Sequence, residues 1–387
     1  MPKSPQNVIT LKISNRANIF EQIRRGALSR VEIAQKTGLK KPAVTVLTNE
    51  MIKEGIVREI GPSERRAERG RTSILLDLVA DYAYAVGISL HRRNIQVSVM
   101  NLKMEKVAGK ERETASFPSA DAAMDWCAKT AGHLLARISC PPKKCVGIGV
   151  SSPGSLDHQA GVILEPPNFP LFHHYPVTAK LKEYFDCPIF LENNAVSLAV
   201  TDFYMRGGPR GNSLFVVVAD GIGSALLQDG AVFRGAGGFS GELGHVCVET
   251  GGEVCACGNT GCLELYATAD ALKKRFPTMK YEQAADRAQA GDEQAGAVLR
   301  YLADRFGKAF VTAINLFDLD TIVMFGEYSY RSHLLTSEIE RYINRHSLVA
   351  KLHPVAVMAS ELAFRDMSIA AAVPALNAFF ARTNSEK

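Results

Sequence analysis

The sequence predicts an α/β protein with two kinds of module. A winged helix-turn-helix head occupies the front of the chain, and a two-lobed α/β body follows it. Three observations carry this prediction. Basic charge is concentrated at the front, helix-capping and wing signals follow one another there in order, and one strand-turn-strand plan occurs twice further on.

The charge is uneven. Residues 1–75 hold fifteen Lys/Arg against seven Glu and no Asp, whereas the remaining residues hold thirty Lys/Arg against thirty-three Asp/Glu. A basic head on a near-neutral body points to a polyanion as the partner of the head. With 47% hydrophobic and 22% charged residues, the chain has the composition of a soluble globular protein with sizeable cores. No apolar run approaches the ~20 residues of a membrane span, and the first residues lack the apolar core of a signal peptide. Eight cysteines in 387 residues do not make a disulfide scaffold, and three of them cluster, which favours metal binding. The expected compartment is the cytoplasm.

In the head, Asn15 to Arg25 has an amphipathic pattern with Ile19, Phe20 and Ile23 on one face. Ser29 and Glu32 form a capping box that starts a second helix, and Gly38 ends it because glycine accepts the left-handed conformation at little cost. Pro42 suits the first turn of a third helix, where its missing N–H is not needed. On that helix Val44, Leu47 and Met51 form a buried stripe. The opposite face carries Pro42, Thr45, Val46 and Asn49, with Lys40 and Lys41 at its start. Lysines there can bind phosphates, and Thr, Asn and Val can read base edges or a thymine methyl. Extended segments at 56–60 and 72–78 flank a tip bearing Arg65, Arg66, Arg69 and Arg71, the expected wing for phosphates or a minor groove. A three-helix interaction module with a solvated basic loop is the competing reading.

In the body, residues 83–102 and 212–233 each read as an apolar strand, a turn and a second strand. Amphipathic helices follow at 120–138 and 177–185 in the first half, and at 294–317 and 332–346 in the second. Duplicated halves of this kind create a cleft between them. Glu192, Asn193 and Asn194 follow an apolar strand and precede a helix. The amides suit sugar hydroxyls, and capping of the helix explains them equally well. Asn168, on the proline-rich loop PPNFP, is a further sugar-binding candidate with the same ambiguity. His173 and His174 lack partners at metal spacing and read as loop residues.

Most of the recognisable chemistry lies in Gly235–Glu264, GAGGFSGELGHVCVETGGEVCACGNTGCLE. His245, Cys255, Cys257 and Cys262 supply one imidazole and three thiols within eighteen positions. Such a set suits one closed, tetrahedral zinc ion. Glu242 and Glu264 are interleaved with it.

These residues resemble the ROK family of repressors and sugar kinases. The resemblance is carried by GAGGFSGELGH (235–245) and CACGNTGCLE (255–264), while the head with its GRTSILLDL junction is similar to the family's repressor branch. It implies an actin-like, sugar-kinase-type body that forms a homodimer or tetramer, with His245, Cys255, Cys257 and Cys262 as zinc ligands. It also implies that Asn193, Asn194, Glu242, His245 and Glu264 surround a sugar, His245 using one ring nitrogen for zinc and the other for the ligand. The implied units are 1–80 for the head, 81–190 for the first lobe and 191–361 for the second. A C-terminal helix near 362–382 is expected to pack back on the first lobe.

Departures from the kinase pattern separate the two branches. Asn194 stands where the kinases have an Asp general base, and an amide cannot take that proton. Ser89-Leu-His-Arg-Arg93 replaces a glycine-rich phosphate turn, the turn at Asp220–Ser224 puts an acid near the phosphate position, and a third element survives only as Phe325-Gly-Glu327. Phosphoryl transfer relies on positioning and charge neutralisation, so a kinase-dead sensor is expected. The resulting function is a sugar-responsive repressor, with a monosaccharide as effector and a roughly palindromic operator as partner. The alternatives are an active kinase with a DNA-binding head, and a regulator controlled by a phosphotransferase protein.

Overall fold

The computed structural model describes residues 5–62, 73–206 and 211–382. The head contains α1 (Pro5–Arg24), β1 (Leu28–Ser29), α2 (Arg30–Thr37), α3 (Lys41–Lys53), β2 (Val57–Pro62) and β3 (Ile74–Leu78). The expected local signals are all used. Ser29 and Glu32 form the reciprocal capping box, and Gly38 ends α2 at φ 70°. Val44, Leu47 and Met51 are buried, while Val46 is 56% exposed. α1 begins at Pro5, ten residues before the expected Asn15. Strands β2 and β3 pair antiparallel as the base of a wing, with β1 on the other side of β3. The wing arginines Arg65, Arg66, Arg69 and Arg71 lie outside the described residues.

The first half of the body runs β4 (Tyr84–Leu90), β5 (Asn94–Asn101), β6 (Lys106–Glu113), α4 (Ala120–Arg137), β7 (Cys145–Ser152), β8 (Leu156–Asp157), β9 (Val162–Ile163), α5 (Val177–Lys182) and β10 (Ile189–Asn193). The second runs α6 (Asn194–Arg206), β11 (Asn212–Val218), β12 (Ile222–Gln228), β13 (Ala231–Phe233), α7 (Glu264–Ala267), α8 (Ala269–Arg275), α9 (Tyr281–Gln289), α10 (Glu293–Phe317), β14 (Thr321–Gly326), α11 (Ser332–His346) and β15 (Ala356–Ala359). The last helix is α12 (Met367–Arg382).

The two five-stranded sheets share one topology. Their orders are β6-β5-β4-β7-β10 and β13-β12-β11-β14-β15. In each, a three-stranded antiparallel meander is extended by two parallel strands. Parallel strands covered on both faces need continuous apolar runs, and every residue of β4 is buried. Expected helices appear at Ala120–Arg137, Glu293–Phe317 and Ser332–His346. Among the described residues no helix is long and apolar enough to cross a membrane.

α12 ties the molecule together. Its first turns (Met367, Ala370) are buried with α6 and the second sheet, whereas Ala372, Ala375, Leu376 and Phe380 share a core with Ile19, Phe20 and Ile23 of α1. Between these ends the helix lies directly on β4 and β7. A Cβ at Gly149 would stand 1.7 Å from the carbonyl oxygen of Ala371, so only glycine permits that approach.

Candidate functional site

The face of α3 expected to meet DNA is free of tertiary cover. Lys40, Lys41, Pro42, Thr45, Val46 and Asn49 are all exposed. Two of these side chains have local engagements. Thr45 Oγ1 donates to the Lys41 carbonyl at 3.0 Å, and Asn49 Oδ1 accepts from Arg30 Nη2 at 2.8 Å. Arg30 also pairs with Glu59 at 3.0 Å. It therefore braces Asn49 from α2, a role that linear spacing could not show.

A cleft of about 350 Å³ lies between the two sheets. Its walls include Asn193, Asn194, Glu242, His245 and Glu264, drawn from segments up to 71 positions apart. The sixth sugar candidate, Asn168, is not among the lining residues. It is exposed at φ 56° beside Pro167, which does line the cleft. His173 and His174 are also absent from the walls; their rings bond the Pro166 carbonyl and Glu165, respectively.

Asn193 and Asn194 differ sharply. The Asn193 carboxamide is used by the protein: its oxygen accepts the Ala195 N–H at 2.8 Å and its nitrogen donates to the Gly154 carbonyl at 3.3 Å. Asn194 is 8% exposed, and its Nδ2 donates weakly to the Leu90 carbonyl at 3.4 Å. Its Oδ1 is buried with no hydrogen-bond partner. A buried amide oxygen left unpaired costs about 1–3 kcal/mol, and a ligand hydroxyl is well suited to pair with it. Burial raises the Glu242 carboxyl above its usual range, with Glu264 adding to the shift and His245 opposing it.

Three further residues of the cleft have partners remote in sequence, which spacing along the chain does not reveal. Arg92 donates to the Pro167 carbonyl at 2.6 Å. Arg234 makes a two-pronged pair with buried Glu192 at 2.6 and 3.3 Å. His158 Nδ1 lies 3.1 Å from the Leu191 carbonyl oxygen.

Adjoining the cleft, His245, Cys255, Cys257 and Cys262 converge, with one potential ligand atom from each within 4.8 Å of the others. Cys257 Sγ and Cys262 Sγ are 3.7 Å apart, and Cys255 Sγ is 3.6 Å from His245 Nδ1. Zinc–sulfur bonds of about 2.3 Å arranged tetrahedrally would separate two sulfurs by about 3.7 Å, so the donor set fits. The loop folds through two isolated bridges, Cys247 with Cys262 and Val254 with Thr260. Gly261 permits the turn: a Cβ there would lie 2.0 Å from the Glu249 carbonyl oxygen, at φ 77°. Burial, with hydrogen bonds to Cys257 and Cys255 adding, pushes the Cys262 thiol up to about 12. Glu264 Oε1 is 3.8 Å from His245 Nδ1, which joins the metal-type cluster to the cleft wall.

The sequence profile of the ROK family matches residues 85–372. The chain belongs to the ROK family. A xylose repressor from Caldicellulosiruptor bescii is 25% identical over 354 residues, covering 87% of this chain and 88% of that protein. The DNA-binding transcriptional dual regulator NagC of Escherichia coli strain K12 is 28% identical over 375 residues, covering 93% and 91%. Among solved structures, a ROK family transcriptional regulator homologous to the E. coli MLC protein superposes with a TM-score of 0.76 at 21% identity, covering 97% of this chain and 99% of that one. A ROK glucokinase from Streptomyces griseus, solved with glucose and AMPPNP, gives 0.63 at 20% identity, covering 76% and 99%. The regulator matches nearly the full length of this ROK chain, whereas the glucokinase leaves about a quarter of it unmatched. Both structures speak for the ROK fold.

Proposed function

We propose that this protein is a transcriptional repressor whose operator affinity is set by a monosaccharide bound in the cleft between the lobes. In this reading residues 1–80 bind DNA; the first lobe, expected as 81–190, runs on to Asn193 because β10 pairs with β7, with α12 packed on it; and the remainder of the expected 191–361 forms the second lobe. Asn193, Asn194, Glu242, His245 and Glu264 bind the sugar, with Asn168 at the margin. Lys40, Lys41, Pro42, Thr45, Val46 and Asn49 face the major groove, and Arg65, Arg66, Arg69 and Arg71 serve the wing. The protein works in the cytoplasm as a homodimer or tetramer on a roughly palindromic operator.

One observation carries the sensor reading: the buried, unpartnered Oδ1 of Asn194 in the cleft. An amide accepts and donates hydrogen bonds to a hydroxyl but cannot act as the general base of a kinase. Binding without turnover suits a sensor. Full-length similarity to proteins named as repressors of xylose and N-acetylglucosamine supports the regulatory half.

His245, Cys255, Cys257 and Cys262 would hold one structural zinc ion. Four protein ligands leave no open position, so the ion's contribution is to fix the loop. The chain's own residues do the sensing: the loop orients the His245 ring, whose second nitrogen is then free for a sugar hydroxyl. The sugar acts only through its different affinity for two arrangements of the molecule.

A thermal-shift screen across monosaccharides, followed by titration of the hits against operator DNA, tests this reading. A sugar that raises the melting temperature and changes operator affinity is expected. If no monosaccharide does either, the reading fails.

A further inference from the structure

Two arginines form ion pairs across the cleft in opposite directions. Arg93, in the β4–β5 turn of the first sheet, reaches Asp220 in the β11–β12 turn of the second at 2.5 Å, and Glu327 just after β14 at 3.6 Å. Arg234, which follows β13 of the second sheet, reaches Glu192 at the end of β10 in the first. Each sheet therefore contributes one arginine and receives one.

The partners lie next to the sugar candidates. Glu192 immediately precedes Asn193 and Asn194, and its Oε1 also accepts the Asn193 N–H at 2.9 Å. Arg234 and Asp220 themselves line the cleft. The acids are well shielded, with Glu192 10% and Asp220 18% exposed at the side chain. Arg93 is 65% exposed, so its pairs are open to screening by salt.

We infer that Arg93 and Arg234 are a reciprocal pair of clasps that hold the two lobes closed over the ligand and position the Asn193–Asn194 corner. A monosaccharide is uncharged, so its own contacts give little reason for salt to weaken its binding. Clasps change that. Salt that loosens them shifts the population toward the open cleft, and the neutral ligand then binds more weakly because less of the protein is competent. The bearing on effector control rests on the sugar-cleft reading, whereas the clasps themselves do not.

The test has two arms on the full-length protein. The first needs no sugar. Hydrogen exchange is followed in segments 88–95, 188–196 and 216–224 for wild type, Arg93→Gln, Arg234→Gln and the double variant, at about 50 and about 500 mM NaCl. Severalfold faster exchange at the cleft is expected in the variants, and in wild type at high salt, with the salt effect lost in the double variant. Arg93→Asp combined with Asp220→Arg should recover protection that Arg93→Asp alone loses. Exchange that ignores charge, salt and swap overturns the clasps. The second arm is calorimetry with N-acetyl-D-glucosamine and D-xylose. For a sugar that binds wild type, Kd should rise about threefold to tenfold in the double variant and with salt in wild type only. An unchanged Kd overturns the link to sugar, and failure of every monosaccharide to bind wild type counts against the sugar reading while the exchange data still decide the clasps.

Discussion

Phe20 of the DNA-binding head stacks on Phe380 of the last helix. The head is therefore not a bead on a string: its core continues into α12, whose other end is packed with the second sheet. A change in the relative position of the lobes has a helical lever through which to reach α3.

Phe380→Ala should test that lever. Removing a buried phenylalanine costs about 3–5 kcal/mol where the site cannot collapse, seen here as a lower denaturant midpoint. Operator binding should weaken, and what remains should respond less to the effector. Calorimetric unfolding together with DNA titration separates the two effects. An unchanged sugar response on DNA would exclude α12 as the route.

Cys257→Ser and Cys262→Ser should each abolish stoichiometric zinc, measured by metal analysis of the purified protein. The loop should become protease-sensitive, and sugar affinity should fall with the metal because His245 belongs to both. Full sugar response after complete zinc loss would show that the cluster and the cleft are independent.

Asn194→Ala removes the unpaired oxygen. Loss of a hydrogen bond to a neutral ligand costs about 0.5–1.5 kcal/mol, so sugar Kd should rise roughly threefold to tenfold while protein stability changes little. Asn194→Asp is more informative about chemistry. It restores a carboxylate, yet no hexose phosphorylation is expected, since Arg93 still occupies Asp220 and Glu327. ATP-dependent product from either protein would revive the kinase reading.

Operator affinity should fall steeply with salt, because contacts to phosphates release counterions. Asn49→Ala should cost about 1–3 kcal/mol and relax specificity at one position, whereas Lys41→Ala should weaken all sequences alike and flatten the salt slope. Arg30→Ala should mimic part of the Asn49 defect by removing its brace. Equal losses on operator and random DNA for Asn49→Ala would place that residue on the backbone instead.

Local signals were legible without coordinates. The Ser29–Glu32 capping box, the Gly38 terminator, the buried stripe of α3 and the long helices of the body depend on interactions three or four positions apart, which a linear pattern records. The repeated hairpin announced two similar lobes because its two strands follow one another directly across a short turn. The metal-type cluster was legible too, because its four ligands fall in one short loop.

Tertiary structure decided what spacing cannot encode. Asn193 and Asn194 are chemically identical neighbours, and only the surrounding chain engages both ends of one carboxamide and leaves the other's oxygen bare. Asn168 read as equivalent to them but stands outside the cleft walls. The Arg30 brace and the two clasps join residues from 19 to 234 positions apart, and no periodicity spans such distances. The sequence by itself determined the elements, the branch of the family it resembles and the donor set of the metal loop. Packing decided which polar groups pair inside the protein and which remain for a ligand, because hydrogen bonds and ion pairs are settled by distance in space.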